Sequence, residues 1–297
     1  MADFLTALQS GRVLLIDGAM GTELQRAGIQ QGECYELWNL THPEQVRAIH
    51  QAYADAGAEV FLTNTFQANP DSLARHDLCL KLAAINRAAL DLARAVASRD
   101  RYVLFDMGPD RVGRLHAVDW ADGLARDGRA DGLLLETCSD IADTTRVLTT
   151  QRRAGIKWCN LHVLVSWTYC RAPNGSLQTA WGKSPEACAR EAAKLDVVAL
   201  GVNCGRDISM DDIIEIVLRY RSVTSLPLFA RPNAGTPTRV GDRWLYPHSP
   251  AQMAAGLPEL LEAGVSMVGG CCGTTPEHIA AFRPIIAAWN ARPGKTA

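Results

Sequence analysis

The chain has 297 residues, 47% hydrophobic and 21% charged, enough to bury one barrel-sized domain or two smaller ones. Thirty basic side chains against 32 acidic ones leave a formal charge of -2, so there is no electrostatic basis for a nucleic-acid or anionic-membrane partner, and a small-molecule substrate is expected. No run of about 18 apolar residues occurs, the start Met1-Ala-Asp-Phe lacks a secretory pattern, and the odd count of nine cysteines argues for free thiols, all of which points to a cytoplasmic location.

Apolar, β-branched runs recur at 13–16, 60–63, 102–105, 132–135, 158–165, 197–202, 226–230 and 265–268. Near-continuous apolar runs suit strands covered by helices on one side and packed barrel layers on the other. After the first run, Asp17-Gly-Ala-Met-Gly-Thr22 lacks the spacing of a dinucleotide loop, which weighs against a doubly wound open sheet. A helix from Pro43 to Ala56, stopped by Gly57, precedes the second run, and a long Ala/Leu-rich helix over 73–98 precedes the third. Between the third and fourth runs, residues 108–128 leave room only for a loop and a short helix. The turn-rich stretch 167–182 after the fifth run is a candidate cover for a site. Helix starts then repeat at Ser184-Pro185, Ser209, Ser249-Pro250 and Thr275-Pro276. This alternation predicts an α/β fold, a closed (β/α)8 TIM barrel occupying residues 1–297 as a single domain.

Polar residues gather just after the strands, where barrels build their sites: Asp17, Asn64, Asp106, Glu136, Cys204, Asn233, Cys271 and Cys272. Singly, each has a structural alternative, such as an acid capping the next helix. Cys79, Cys159 and Cys188 are expected to be small buried hydrophobes. The adjacent Cys271 and Cys272 fit a vicinal disulfide, a buried pair or a metal site. Gly269, Gly270 and Gly273 give their backbone the freedom to aim both sulfurs at one centre. If the sixth and eighth runs share a barrel mouth, Cys204 joins them, and three thiolates would hold one zinc ion with a fourth position open.

In this order, Asp17-Gly-Ala-Met-Gly-Thr22, Thr63-Asn-Thr-Phe66, Glu136-Thr137, Gly201-Val-Asn-Cys204, Pro232-Asn-Ala-Gly235 and Gly269-Gly-Cys-Cys-Gly-Thr-Thr-Pro276 closely resemble the homocysteine S-methyltransferase family. The likeness is greatest to the homocysteine-binding domain of cobalamin-dependent methionine synthase, and it runs from residue 17 to 276. It implies Cys204, Cys271 and Cys272 as ligands of a catalytic Zn2+. It also implies that the amino-acid end of L-homocysteine lies near Asp17 and Glu136, with Gly18 and Ala19 offering backbone donors to its carboxylate. Asn203 at the substrate end and Asn64 are expected to orient ligands, and Asn233 to complete the zinc sphere before substrate binds.

The implied reaction is methyl transfer to the homocysteine thiol, giving L-methionine. The donor would be methylcobalamin or another corrinoid on a separate protein, or a small sulfonium such as S-methylmethionine. Motif wording favours the corrinoid. The length of 297 residues leaves no room for folate, cobalamin and reactivation domains, which favours the sulfonium. Trp167 stands where the family pattern usually has a small residue, so an altered donor approach is expected. A non-catalytic zinc- and thiol-binding barrel is the alternative.

Overall fold

A computed structural model describes residues 3–30, 32–97, 100–109, 129–153, 161–241 and 243–293. The short helix expected within 108–128, Cys159 and the start of the expected fifth strand lie outside the described residues. Eight parallel strands form the barrel: β1 (Leu14–Leu15), β2 (Val60–Leu62), β3 (Tyr102–Met107), β4 (Gly132–Cys138), β5 (His162–Trp167), β6 (Ala199–Asn203), β7 (Leu228–Arg231) and β8 (Val265–Val268). Each strand pairs with the next, β8 returns to β1, and an Ile16–Val60 bridge closes the ring. No helix among the described residues is long and apolar enough to cross a membrane.

Side chains alternate along each strand, so one set fills the barrel and the other meets the helices. Leu62, Leu104, Leu134, Leu164 and Phe229 pack inside, and the helix Phe4–Gln9 adds Phe4 and Leu8 to the same cluster. Phe229 takes up the space beside Gly201, where an added Cβ would stand 2.3 Å from its ring. Two residues beyond this apolar layer the interior becomes polar, with Asp106, Glu136, Ser166, Asn203 and Arg231 all buried. The strand period therefore carries the chain from core to site within one turn of the pleat.

Helices begin where capping chemistry places them. Ser184, Ser209 and Ser249 each accept a backbone N–H in the first turn of the helices Pro185–Ala192, Met210–Arg221 and Pro250–Ala255. The helix Pro43–Ala56 ends at Gly57, whose φ of 105° is the left-handed stop a glycine supplies. The long helix expected over 73–98 is instead split into Pro70–Ala74, a short turn Cys79–Lys81 and Leu82–Val96. Asp77 at φ 56° interrupts it, because a left-handed residue cannot continue an α-helix. Cys79 is consequently exposed, contrary to expectation, whereas Cys188 is fully buried.

His50, on the helix Pro43–Ala56, has no exposure and neither ring nitrogen has a hydrogen-bond partner. Burial lowers its pKa to about 4. The unfolded chain takes up the proton near pH 6.5, so this group's contribution is fully present above that value and is lost as pH falls toward 4. Between pH 7 and 4.5, wild type should lose roughly 2–3 kcal/mol more stability than His50→Leu. Urea unfolding of both proteins at the two pH values measures the difference, and equal losses would refute it.

Candidate metal and substrate site

Cys204 follows β6, and Cys271 and Cys272 follow β8, so the barrel brings them to one rim. Their sulfurs lie within 4.8 Å of one another, with Cys204 and Cys272 4.0 Å apart. Two local features aim them. Cys204 is held at φ 55°, a left-handed conformation that is costly for a residue with a Cβ. At Gly270 an added Cβ would stand 2.2 Å from Thr274 Oγ1, so only glycine admits the tight turn into the cysteine pair. The Cys271 and Cys272 thiols hydrogen-bond Cys204 and lower its pKa to about 3, while Cys271 rises to about 11 and Cys272 is pushed well up. Three soft donors of this geometry fit a metal ion that prefers thiolate.

The amides around the thiols differ in task. Asn203 is fully buried: its Oδ1 accepts from Ser166 Oγ at 2.6 Å and from the Thr137 N–H at 3.1 Å. Its Nδ2 donates to Thr137 Oγ1 at 2.8 Å and approaches Cys271 Sγ at 3.9 Å. Asn233 Nδ2 donates to Cys204 Sγ at 3.7 Å, and its buried Oδ1 has no partner. Asn64, in contrast, donates to Tyr35 O and Asn39 Oδ1, both at 3.0 Å. It fixes the loop that precedes the helix Pro43–Ala56, and its amide bonds go to that loop.

Below the sulfurs sits a buried charge cluster of Asp17, Asp106, Glu136 and Arg231. Asp17 Oδ2 accepts the Leu62 N–H at 3.0 Å. Arg231 donates to Glu136 Oε1 and, at 3.5 Å, to the Gly18 carbonyl. Burial raises the pKa of both Asp17 and Glu136 to about 7, and burial together with Glu136 pushes Asp106 well above the usual carboxylate range. Burial alone would lower the pKa of Arg231, but the carboxylates of Glu136, Asp17 and Asp106 outweigh it and hold the guanidinium charged. Arg231 carries no local signal of this role in the sequence, where as Arg-Pro at a strand end it looks like a surface cation. Counting inward positions would have found it, since it lies two residues beyond the inward Phe229.

The expected backbone donors at the first loop are partly committed. The Ala19 N–H donates to Thr274 Oγ1 at 3.1 Å, and Tyr53 Oη donates to the Ala19 and Thr274 carbonyls, tying the loops after β1 and β8 together. Gly18, Ala19, Asp17, Asn64, Glu136, Cys204, Cys271 and Cys272 all line one cavity of about 600 Å³, within the range of small-molecule sites. Residues 167–182 do not line it. Trp167 ends β5, is 1% exposed, and packs in the outer cluster between strands and helices, so it does not line the cavity in which an altered donor approach is expected from it. Trp244, in the hairpin of strands Thr238–Val240 and Arg243–Leu245, and Tyr246, just after it, line the wall.

The family model described as Homocysteine S-methyltransferase matches residues 14–286. A methionine synthase from Mycobacterium leprae is 32% identical over 303 residues, covering 94% of this chain and 25% of that protein, and one from Mycobacterium tuberculosis is likewise 32% identical. The chain thus spans about a quarter of the length of these curated relatives. Among solved structures, the metallated form of the homocysteine methyltransferase MmuM from Escherichia coli superposes with a TM-score of 0.70 at 25% identity, covering 92% of this chain and 96% of that one. The apo form of the same protein gives a TM-score of 0.66.

Proposed function

Because the chain belongs to the homocysteine S-methyltransferase family, we propose that it transfers a methyl group to the thiol of L-homocysteine, giving L-methionine, with Zn2+ held by Cys204, Cys271 and Cys272. The convergence of three sulfurs above a buried acidic cluster, in one cavity, carries this reading. A bound zinc ion would lower the thiol pKa of homocysteine and hold the sulfur as a thiolate at neutral pH. The chain's own groups do the rest. Asp17 and Glu136 place buried carboxyl groups at the amino-acid end of the substrate, Asn203 steadies Cys271 and the Thr137 turn, and Asn233 braces Cys204.

The wall of the cavity favours a small cationic donor. Tyr35, Phe66, Trp244 and Tyr246 line it together with Glu36, and aromatic faces beside an acid attract a sulfonium by cation–π and charge interactions. Transfer from a sulfonium moves its methyl group to the homocysteine sulfur and leaves a neutral thioether, which loses that attraction and departs. A turnover assay with S-methylmethionine, S-adenosylmethionine, betaine and methylcobalamin tests the reading. S-methylmethionine should be used best. Methylcobalamin as the best donor would replace the sulfonium, and a zinc-loaded protein that binds homocysteine but uses no donor would leave a non-catalytic thiol-binding barrel.

Zinc binding should also depend steeply on pH. Cys204 favours the thiolate, whereas Cys271 and Cys272 must each give up a proton to become ligands. Loss of two protons makes affinity fall about a hundredfold for each unit of pH decrease below the thiol range. Competition against a chelator at pH 8 and pH 7 measures the slope, and a flat response would rule out thiolate ligation by this pair.

A further inference from the structure

Three buried polar atoms in the charge cluster have no hydrogen-bond partner: Asp17 Oδ1, Asp106 Oδ1 and Arg231 Nε. All three residues line the cavity that Cys204, Cys271 and Cys272 also line. Two are acceptors and one is a donor. Leaving such groups unpaired costs free energy, most of all for charged ones, so a site built this way gains from a ligand that pairs all of them.

The complement of two carboxylate oxygens and one guanidinium N–H is the head of an α-amino acid, whose ammonium donates and whose carboxylate accepts. We propose that Arg231 and Asp106 are specificity-determining residues of the thiol substrate site, Arg231 Nε taking the substrate carboxylate and Asp106 Oδ1, together with Asp17 Oδ1, taking its ammonium. This rests on the reading of the substrate as homocysteine and adds two residues to its recognition.

Glu136 then acts through Arg231. Its Oε1 is bonded by the Arg231 guanidinium, which also reaches the Gly18 carbonyl at 3.5 Å, so the planar group is held from β4 and from the loop after β1. Holding it from those two sides fixes the plane of the guanidinium and leaves Nε without a protein partner. The Ala19 N–H, a backbone donor otherwise suited to a carboxylate, is committed to Thr274 Oγ1. A fixed guanidinium supplies what that donor cannot.

Calorimetric titration of the zinc-loaded protein with three thiols tests the assignment: L-homocysteine, 3-mercaptopropylamine, which lacks the carboxylate, and 4-mercaptobutyrate, which lacks the ammonium. Arg231→Met should weaken L-homocysteine and 4-mercaptobutyrate by about ten- to a hundredfold and leave 3-mercaptopropylamine within about twofold. Asp106→Asn should show the opposite selectivity, weakening L-homocysteine and 3-mercaptopropylamine while sparing 4-mercaptobutyrate. The asparagine is nearly isosteric and removes one of three crowded acids, so it keeps the test decisive even if Arg231→Met does not fold. Zinc content and thermal melting of each variant are measured alongside. Uniform weakening of all three thiols, or no weakening, would overturn the assignment while homocysteine recognition stands. Wild-type protein that binds none of the three would instead overturn the homocysteine reading itself, and this assignment with it.

Discussion

Replacing Cys204, Cys271 or Cys272 by serine, one at a time, is expected to remove tight zinc binding and to lower methyl transfer by roughly a thousandfold or more, equivalent to about 4 kcal/mol of barrier. The sulfurs converge within 4.8 Å, two of them 4.0 Å apart, so side-chain shifts of about 1 Å or less bring them to the separation of about 3.8 Å that tetrahedral zinc–sulfur bonds of about 2.3 Å require. A serine hydroxyl is a harder and far less acidic donor, so two remaining thiolates would hold the ion weakly and with the wrong geometry. The barrel should survive, because Cys204 and Cys272 are only half-buried and none of the three belongs to the apolar clusters. Metal analysis, circular dichroism and turnover on each variant decide the matter. Zinc content equal to wild type in all three variants would show that the cysteines hold no metal.

The barrel was legible because its strands announce themselves as apolar runs at regular spacing and its helices as Ser-Pro or Thr-Pro starts. Strand ends were less so. The fifth run reads as ending at Val165, but β5 extends to Trp167, since pairing of Trp167 with Cys138 and Val202 continues the ladder past the apolar stretch. That shift turns Trp167 away from the mouth and into the helix layer. The sulfur cluster was visible through glycines beside adjacent cysteines. The charge cluster was only half visible: Asp17, Asp106 and Glu136 follow apolar runs, whereas Arg231 needs the parity of β7 to be placed inside. The hairpin at 238–245 carries no apolar alternation, which is why a segment contributing Trp244 to the cavity wall could not be recognised.

Asn203→Leu should be the most damaging single change outside the metal ligands. Its amide satisfies Ser166 Oγ, the Thr137 N–H and Thr137 Oγ1, and touches Cys271 Sγ, so one side chain joins the ends of β4, β5 and β6 to a thiol. Thr137 sits at φ 59°, strained for a β-branched residue, and its N–H bond to Asn203 is what holds it there. Leucine would leave several buried polar groups unpaired, at a cost of about 3–5 kcal/mol, and would free the Glu136–Thr137 turn to relax. Zinc affinity should fall by about ten- to a hundredfold, the usual consequence of losing a group that orients a metal ligand. Asn203→Asp separates the two roles. It keeps the acceptor for Ser166 and Thr137 N–H but turns a carboxylate oxygen toward Thr137 Oγ1 and Cys271, repelling a thiolate. Its unfolding midpoint should therefore stay closer to wild type than that of Asn203→Leu, while its zinc affinity falls at least as far. If both variants held zinc as wild type does, the amide would serve the strand ends alone and the Cys271 contact would carry no weight.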